Sequence, residues 1–192
     1  MGEIEKHLPT LLEVVETLQK EIPGLKVVIP AANDRAYEKI QEILGALRTL
    51  HSALCTVQHG GARAALRDAT AAVVASGTAT LEAALAGCPT VLVYKVGWMF
   101  AFLARRFIKG IRHIGLANII AEKAGKQCPM PELLQEDFTA EKVLAVLRPL
   151  LEHEEANAVA RALLGETMNL LRSDGDAIAR IADRVLGRNS PT

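Results

Sequence analysis

Apolar residues at Ile4, Leu8, Leu11, Leu12, Val15 and Leu18 recur every three or four positions, which predicts an amphipathic helix over 3–21. Pro23-Gly24 ends it. The run Leu25 to Ile29 then reads as a short buried strand closed by Pro30, and Asn33 or Asp34 caps a second helix to about Leu47. Leu54 to Gln58 is a weak strand ended by His59-Gly60-Gly61, and Arg63 to Asp68 a short helix. Ala71 to Ala75 is a third strand, turned by Ser76-Gly77 into a helix over 78–86, and Thr90 to Tyr94 is a fourth strand. Continuous apolar strands alternating with helices predict an α/β fold, Rossmann-like, with a parallel sheet covered on both faces. From Trp98 onward the pattern is mostly helical, with helices over 98–109 and 140–152 and one or two between Glu155 and Leu186. This divides the chain into a domain over 1–150 and a helical tail over 151–192.

Composition narrows the function classes. The 192 residues carry 22 Lys plus Arg against 22 Asp plus Glu, and only 4% are aromatic, so neither charge nor stacking argues for nucleic acid. Cys55, Cys88 and Cys128 are an odd number at wide spacings without a CxxC, which fits a reducing compartment and neither a disulfide framework nor a cysteine-rich zinc site. The five histidines (7, 51, 59, 113 and 153) are scattered without metal-ligand spacing and read as surface or supporting residues. No metal or cofactor is expected. The N-terminus is too charged for a signal peptide, and the most apolar stretch, 90–103, falls short of a membrane span and carries Lys95.

The informative segment is AAVVASGTATLEAALAGCP, residues 71–89. A buried strand feeds through Ser76-Gly77 directly into a helix. In an open parallel sheet, ligands bind beyond the carboxyl ends of the strands. There a helix N-terminus with unpaired N–H groups suits a phosphate or diphosphate, and Gly77 admits a close backbone approach. Glu82 stands one place too late for a capping box with Thr78. A carboxylate repels a diphosphate, so its useful partner is a pair of sugar hydroxyls; the plainer alternative is an exposed acid favouring the helix dipole. Ser76 and Thr78 have a similar alternative as ordinary caps.

SGTATLEAALAGCPTVLVYKV resembles the donor-nucleotide motif of the lipid-A-disaccharide synthase family, glycosyltransferases of the GT-B fold. GEIEKHLPTLLE, KVVIPAAN, LARRFIK, GLANIIA and PELLQED follow the family's order, so the resemblance covers nearly the whole chain, most weakly from Glu155 onward. The resemblance implies condensation of UDP-2,3-diacylglucosamine with lipid X to give the β-1,6-linked lipid A disaccharide and UDP. It places Ser76, Gly77, Thr78 and Thr80 against the donor diphosphate and Glu82 on the ribose. Asn118 would lie beside the donor site, with Ala117 where the family usually has proline, and Glu132 and Gln135 near the donor sugar and diphosphate. The chain starts after the family's Gly-Ser-Arg strand, which is central to the donor-domain sheet, and lacks the acceptor half with the catalytic aspartate. It is therefore expected to hold no catalytic residue and to be inactive alone as a hexosyltransferase. The sheet is expected to close the gap, borrow a strand from another copy, or be rebuilt. A UDP-sugar-binding module without turnover, an oligomerising fragment, and another GT-B enzyme on UDP-GlcNAc-type donors remain as alternatives, and self-association is expected.

WMFAFLARRFIKGIR, residues 98–112, sets Trp98 and Phe102 beside Arg105, Arg106 and Lys109. An apolar patch next to cations suits an anionic lipid surface, at the inner face of the cytoplasmic membrane of a Gram-negative-type bacterium. The alternatives are a core-packing helix and arginines on a phosphate. If the segment meets lipid, flotation with anionic vesicles weakens in the Arg105→Glu/Arg106→Glu double variant. Unchanged flotation removes the idea.

Overall fold

The computed structural model describes residues 2–46, 55–75, 78–95 and 113–173. The expected Ser76-Gly77 turn, the helix over 98–109 and the chain beyond 173 lie outside the described residues. In chain order the elements are α1 (Gly2–Glu21), β1 (Val27–Ala31), α2 (Asp34–Ala46), β2 (Cys55–His59), α3 (Ala62–Asp68) and β3 (Ala72–Ala75). They continue with α4 (Thr78–Leu85), β4 (Thr90–Tyr94), α5 (Leu116–Lys123), β5 (Glu132–Leu134), a 3-10 turn (Gln135–Asp137), α6 (Ala140–Glu152) and α7 (Glu154–Ser173). All strand pairs are parallel, as the α/β reading requires.

The strands form two sheets, β1–β2 and β3–β4–β5, with no ladder joining β1 to β3 among the described residues. The gap expected from the resemblance is thus not closed by the described strands. Its physical signature is burial. In β4, paired on both sides, Val91, Leu92 and Val93 are wholly buried, whereas every residue of β3, paired on one side, is only half-buried despite being as apolar. Pro30 does not end β1 as its ring chemistry suggested; it sits inside the strand. In a parallel ladder, alternate residues bond to alternate sides. Ala31 C=O accepts from Gly60 N–H, so Ala31 faces β2 and Pro30, which has no N–H to give, faces the unpaired edge.

One helix covers both sheets. The predicted stripe of α1 divides along its length: Leu8 and Leu12 pack with Ala31, Ile40, Leu44 and Cys55, while Val14 and Leu18 pack with Val91, Val93 and Phe138. Helices α2 and α6 flank α1 on this face, and Arg148 of α6 grips Glu21 of α1 through two 2.8 Å hydrogen bonds. On the other face α4, α5 and α7 enclose a third cluster of Ala83, Ala84, Ala117, Met130, Leu164 and Met168. The periodicity of α2, α3, α4, α6 and α7 agrees with the sequence to within a residue or two at each described end. Two elements were missed. Helix α5 is short, and β5 is a three-residue strand that adds to the edge of β4, Leu92 opposite Glu132.

Candidate functional site

Within each sheet the strands run the same way, so Ala31 and His59 end at one rim of the first sheet and Ala75, Tyr94 and Leu134 at one rim of the second, beyond which open parallel sheets take their ligands. Helix α4 starts there. Thr78 opens it, Thr80 is fully buried, and Glu82 presents a one-third exposed side chain. Among the described residues Glu82 pairs with Arg63 Nη2 at 3.6 Å, on a largely exposed arginine. A long, solvated pair of this kind contributes about 0–1 kcal/mol and leaves the carboxylate free to exchange partners. Thr80 is different. With its side chain enclosed, what it offers at the rim is backbone within the first turn of α4.

Gln135 follows β5 at the same rim with φ 54°, the only non-glycine in the left-handed region among the described residues. Holding a non-glycine residue there costs about 1–3 kcal/mol, and such strain concentrates at binding sites. Nothing in the one-dimensional pattern signals the conformation.

Of the histidines read as surface or supporting residues, His7 supports the rim. His7 is buried, its ring between Tyr94 and Phe138. Nε2 accepts from Lys95 N–H at 2.9 Å, so Nδ1 carries the proton and donates to Glu3 C=O at 2.6 Å. Tyr94 Oη donates to Glu3 Oε1 at 3.1 Å. These contacts tie the start of α1 to the end of β4. The spacing Ile4, His7, Leu11, Val14, Leu18 carried the signal: His7 lies on the apolar stripe.

Asn118 and Glu132 are brought together, each satisfying the other. Asn118 Nδ2 donates to Met130 C=O and to Glu132 Oε1, both at 2.7 Å, while its Oδ1 accepts from Met130 N–H at 3.0 Å. Glu132 accepts from Ile114 N–H at 3.0 Å and Gly115 N–H at 3.1 Å, so a nearly enclosed carboxylate caps the start of α5. Gly115 is closely packed: a Cβ would stand 3.2 Å from Glu132 Oε1, so the carboxylate would have to give by a few tenths of an ångström. Among the described residues no hydrogen bond or ion pair joins this clamp to Glu82 or Gln135. Trp98, Phe102, Arg105, Arg106 and Lys109, like Ser76, Gly77 and the Thr78 side chain, lie outside the described residues. Among those described, no group of three or more His, Cys, Asp or Glu is placed to hold a metal ion, and all three cysteines are free.

The clamp predicts a large stability effect. Asn118→Ala strands both polar groups of Met130 in a buried site, at about 1–3 kcal/mol for each. Urea unfolding should show a correspondingly lower midpoint with an unchanged slope. A shift below about 0.5 kcal/mol, the range of ordinary surface changes, contradicts the clamp.

The motifs that lie on this rim can be set against known proteins. The family model described as lipid-A-disaccharide synthetase matches residues 1–179. A lipid-A-disaccharide synthase of Anaeromyxobacter dehalogenans (strain 2CP-C) is 36% identical over 186 residues, covering 97% of this chain and 46% of that protein. That of Acidobacterium capsulatum is 34% identical over 187 residues, with 93% and 45% covered. That of Pseudomonas fluorescens (strain Pf0-1) is 31% identical over 185 residues, with 96% and 46% covered. The chain therefore spans just under half the length of these curated relatives, and it belongs to the lipid-A-disaccharide synthase family.

Proposed function

We propose that this chain is the donor-binding half of a lipid A glycosyltransferase, holding UDP-2,3-diacylglucosamine at the rim where α4 begins. The observation that carries the reading is Glu82. It stands one turn inside a helix start at the carboxyl end of a parallel strand, and among the described residues its ion pair is a long, exposed one with Arg63. The first N–H groups of α4 and the helix dipole would receive the diphosphate. Glu82 would accept from the two ribose hydroxyls, a forked arrangement open to a carboxylate and closed to an amide donor. Gln135, held in its strained conformation at the end of β5, two strands along from β3, would face the sugar side of the diphosphate.

In the transfer itself, the acceptor hydroxyl of lipid X attacks the anomeric carbon as the bond to the β-phosphate oxygen breaks. Charge then gathers on the departing UDP. Fixed amide dipoles aimed at that charge lower the barrier without reorganising, so no metal is required by the chemistry of this half. Positioning of the acceptor and removal of its proton would fall to the part of the relatives' length that this chain does not cover. The acylated substrates, together with the aromatic and cationic residues of 98–112, support work as a peripheral protein at the cytoplasmic membrane surface.

The edges of β1 and β3, without a ladder partner among the described residues, favour a second reading, an oligomerising piece without a competent site. Calorimetry separates the two. Millimolar or tighter binding of UDP, weakened at least about tenfold by Glu82→Ala, supports the donor site, since two hydrogen bonds to a charged group contribute roughly 1.5–3 kcal/mol each. In that case 2′-deoxy-UDP also loses affinity for the unmodified chain and is weakened less than UDP by Glu82→Ala, because it has one hydrogen bond rather than two to lose. No heat at high UDP, or equal affinity in the variant, overturns the proposal.

A further inference from the structure

Away from the rim, the loop between α5 and β5 carries a second cluster. Cys128 Sγ lies 3.3 Å from His113 Nε2, and His113 Nδ1 lies 3.5 Å from Glu132 Oε1. Nδ1 is shut off from solvent and has no hydrogen-bond partner within bonding geometry among the described residues. Glu132 is fixed by the clamp described above, so its carboxylate cannot swing away from the ring. Cys128 is itself half-buried, and both it and His113 line a cavity of about 560 Å³ shared with Met130, Glu132, Asp137 and Val159. Cys55 and Cys88, by contrast, are buried in the packing of the domain.

We infer that Cys128 is a thiol-modification site, with His113 as the base and Glu132 as the group that orients it, taking a small neutral or cationic disulfide from the cavity. The chemistry follows the order of contacts. His113 Nε2 takes the Sγ proton as sulfur attacks one sulfur of the incoming disulfide. The new Cys128 S–S bond forms, the old S–S bond breaks, and the departing thiolate recovers the proton from the imidazolium. The products are a mixed disulfide and one free thiol, with no other oxidant consumed. Glu132 comes into play in the middle of this step. Its 3.5 Å separation from Nδ1 is too long for a good hydrogen bond to the neutral ring and short enough to stabilise the charged one.

The charges around the sulfur set both the need for a base and the preferred reagent. Burial first, then the nearby carboxylates of Glu122 and Glu132, push the Cys128 thiol above its ordinary range. The resting group is therefore the thiol, and reactivity depends on transfer to His113 rather than on a standing thiolate. The same carboxylates disfavour an anionic disulfide, while Asp137 in the cavity wall is already paired with Lys142.

The test uses cystamine, a cationic disulfide, and oxidised glutathione, an anionic one, on the full chain, with intact mass and peptide mapping. Cys128 is expected to take one cysteamine adduct faster than Cys55 or Cys88 in the same molecule, and faster than it takes glutathione. Cys128→Ser removes the fast adduct. His113→Gln slows it at least about tenfold, the low end of what a positioned base contributes, and moves the rise in rate to higher pH. The comparison among the three cysteines needs no variant and stands even if His113→Gln destabilises the fold. Cys128 reacting no faster than the two buried cysteines overturns the inference, as does a folded His113→Gln variant with the unmodified rate and pH profile.

Discussion

Among the described residues, the apolar stripe of α1 packs against both sheets. No backbone ladder connects β1–β2 to β3–β4–β5 among the described residues, so their relative placement rests on packing, chiefly that of α1, with α3 also touching both β1 and α4. Leu8 and Leu12 are buried against one sheet and Val14 and Leu18 against the other. Hydrophobic burial is non-directional, whereas a ladder fixes register, so this joint specifies proximity more firmly than alignment. The polar contacts at the helix start supply the missing direction: His7 bonds both Glu3 and Lys95, pinning α1 to the end of β4. That junction lies on the rim where the donor is proposed to sit.

Most of the fold was legible because its signals are local and periodic. The spacing in α1, the Asn33 cap of α2, which accepts from Ala36 N–H at 2.9 Å, and the apolar run of β4 each specify an element without help from the rest of the chain. What could not be read was decided by distant partners. Glu132–Leu134 is a strand only because Leu92 to Tyr94 offers an open edge, and three residues carry no usable period. Pro30 looked like a stop, yet it faces the one side of β1 where no N–H is needed. His7 read as a surface or supporting residue when considered alone and proved to be part of the stripe.

The candidate site was legible in outline and less so in its division of labour. The strand–turn–helix at 71–82 marked the rim from the sequence alone. Asn118 and Glu132, by contrast, were expected beside the donor through family resemblance, and the geometry gives both a full set of internal partners. Their structural contribution is to cap α5 and fix the entry into β5, which in turn sets Gln135 at the strand's end. A residue can thus serve a binding site by shaping the element that carries another residue. The same clamp leaves His113 beside an immobile carboxylate, which is how a structural device becomes the support of a reactive thiol.

The central claim is positional: the nucleotide belongs at the carboxyl rim, on the start of α4. Amide chemical shifts of the isotopically labelled chain titrated with UDP test it most directly. The account predicts the largest changes at residues 78–82 and 135–136, with little at 69–71 and 88–90 on the opposite rim. Changes concentrated on that opposite rim, or a spectrum indifferent to millimolar UDP, would contradict it.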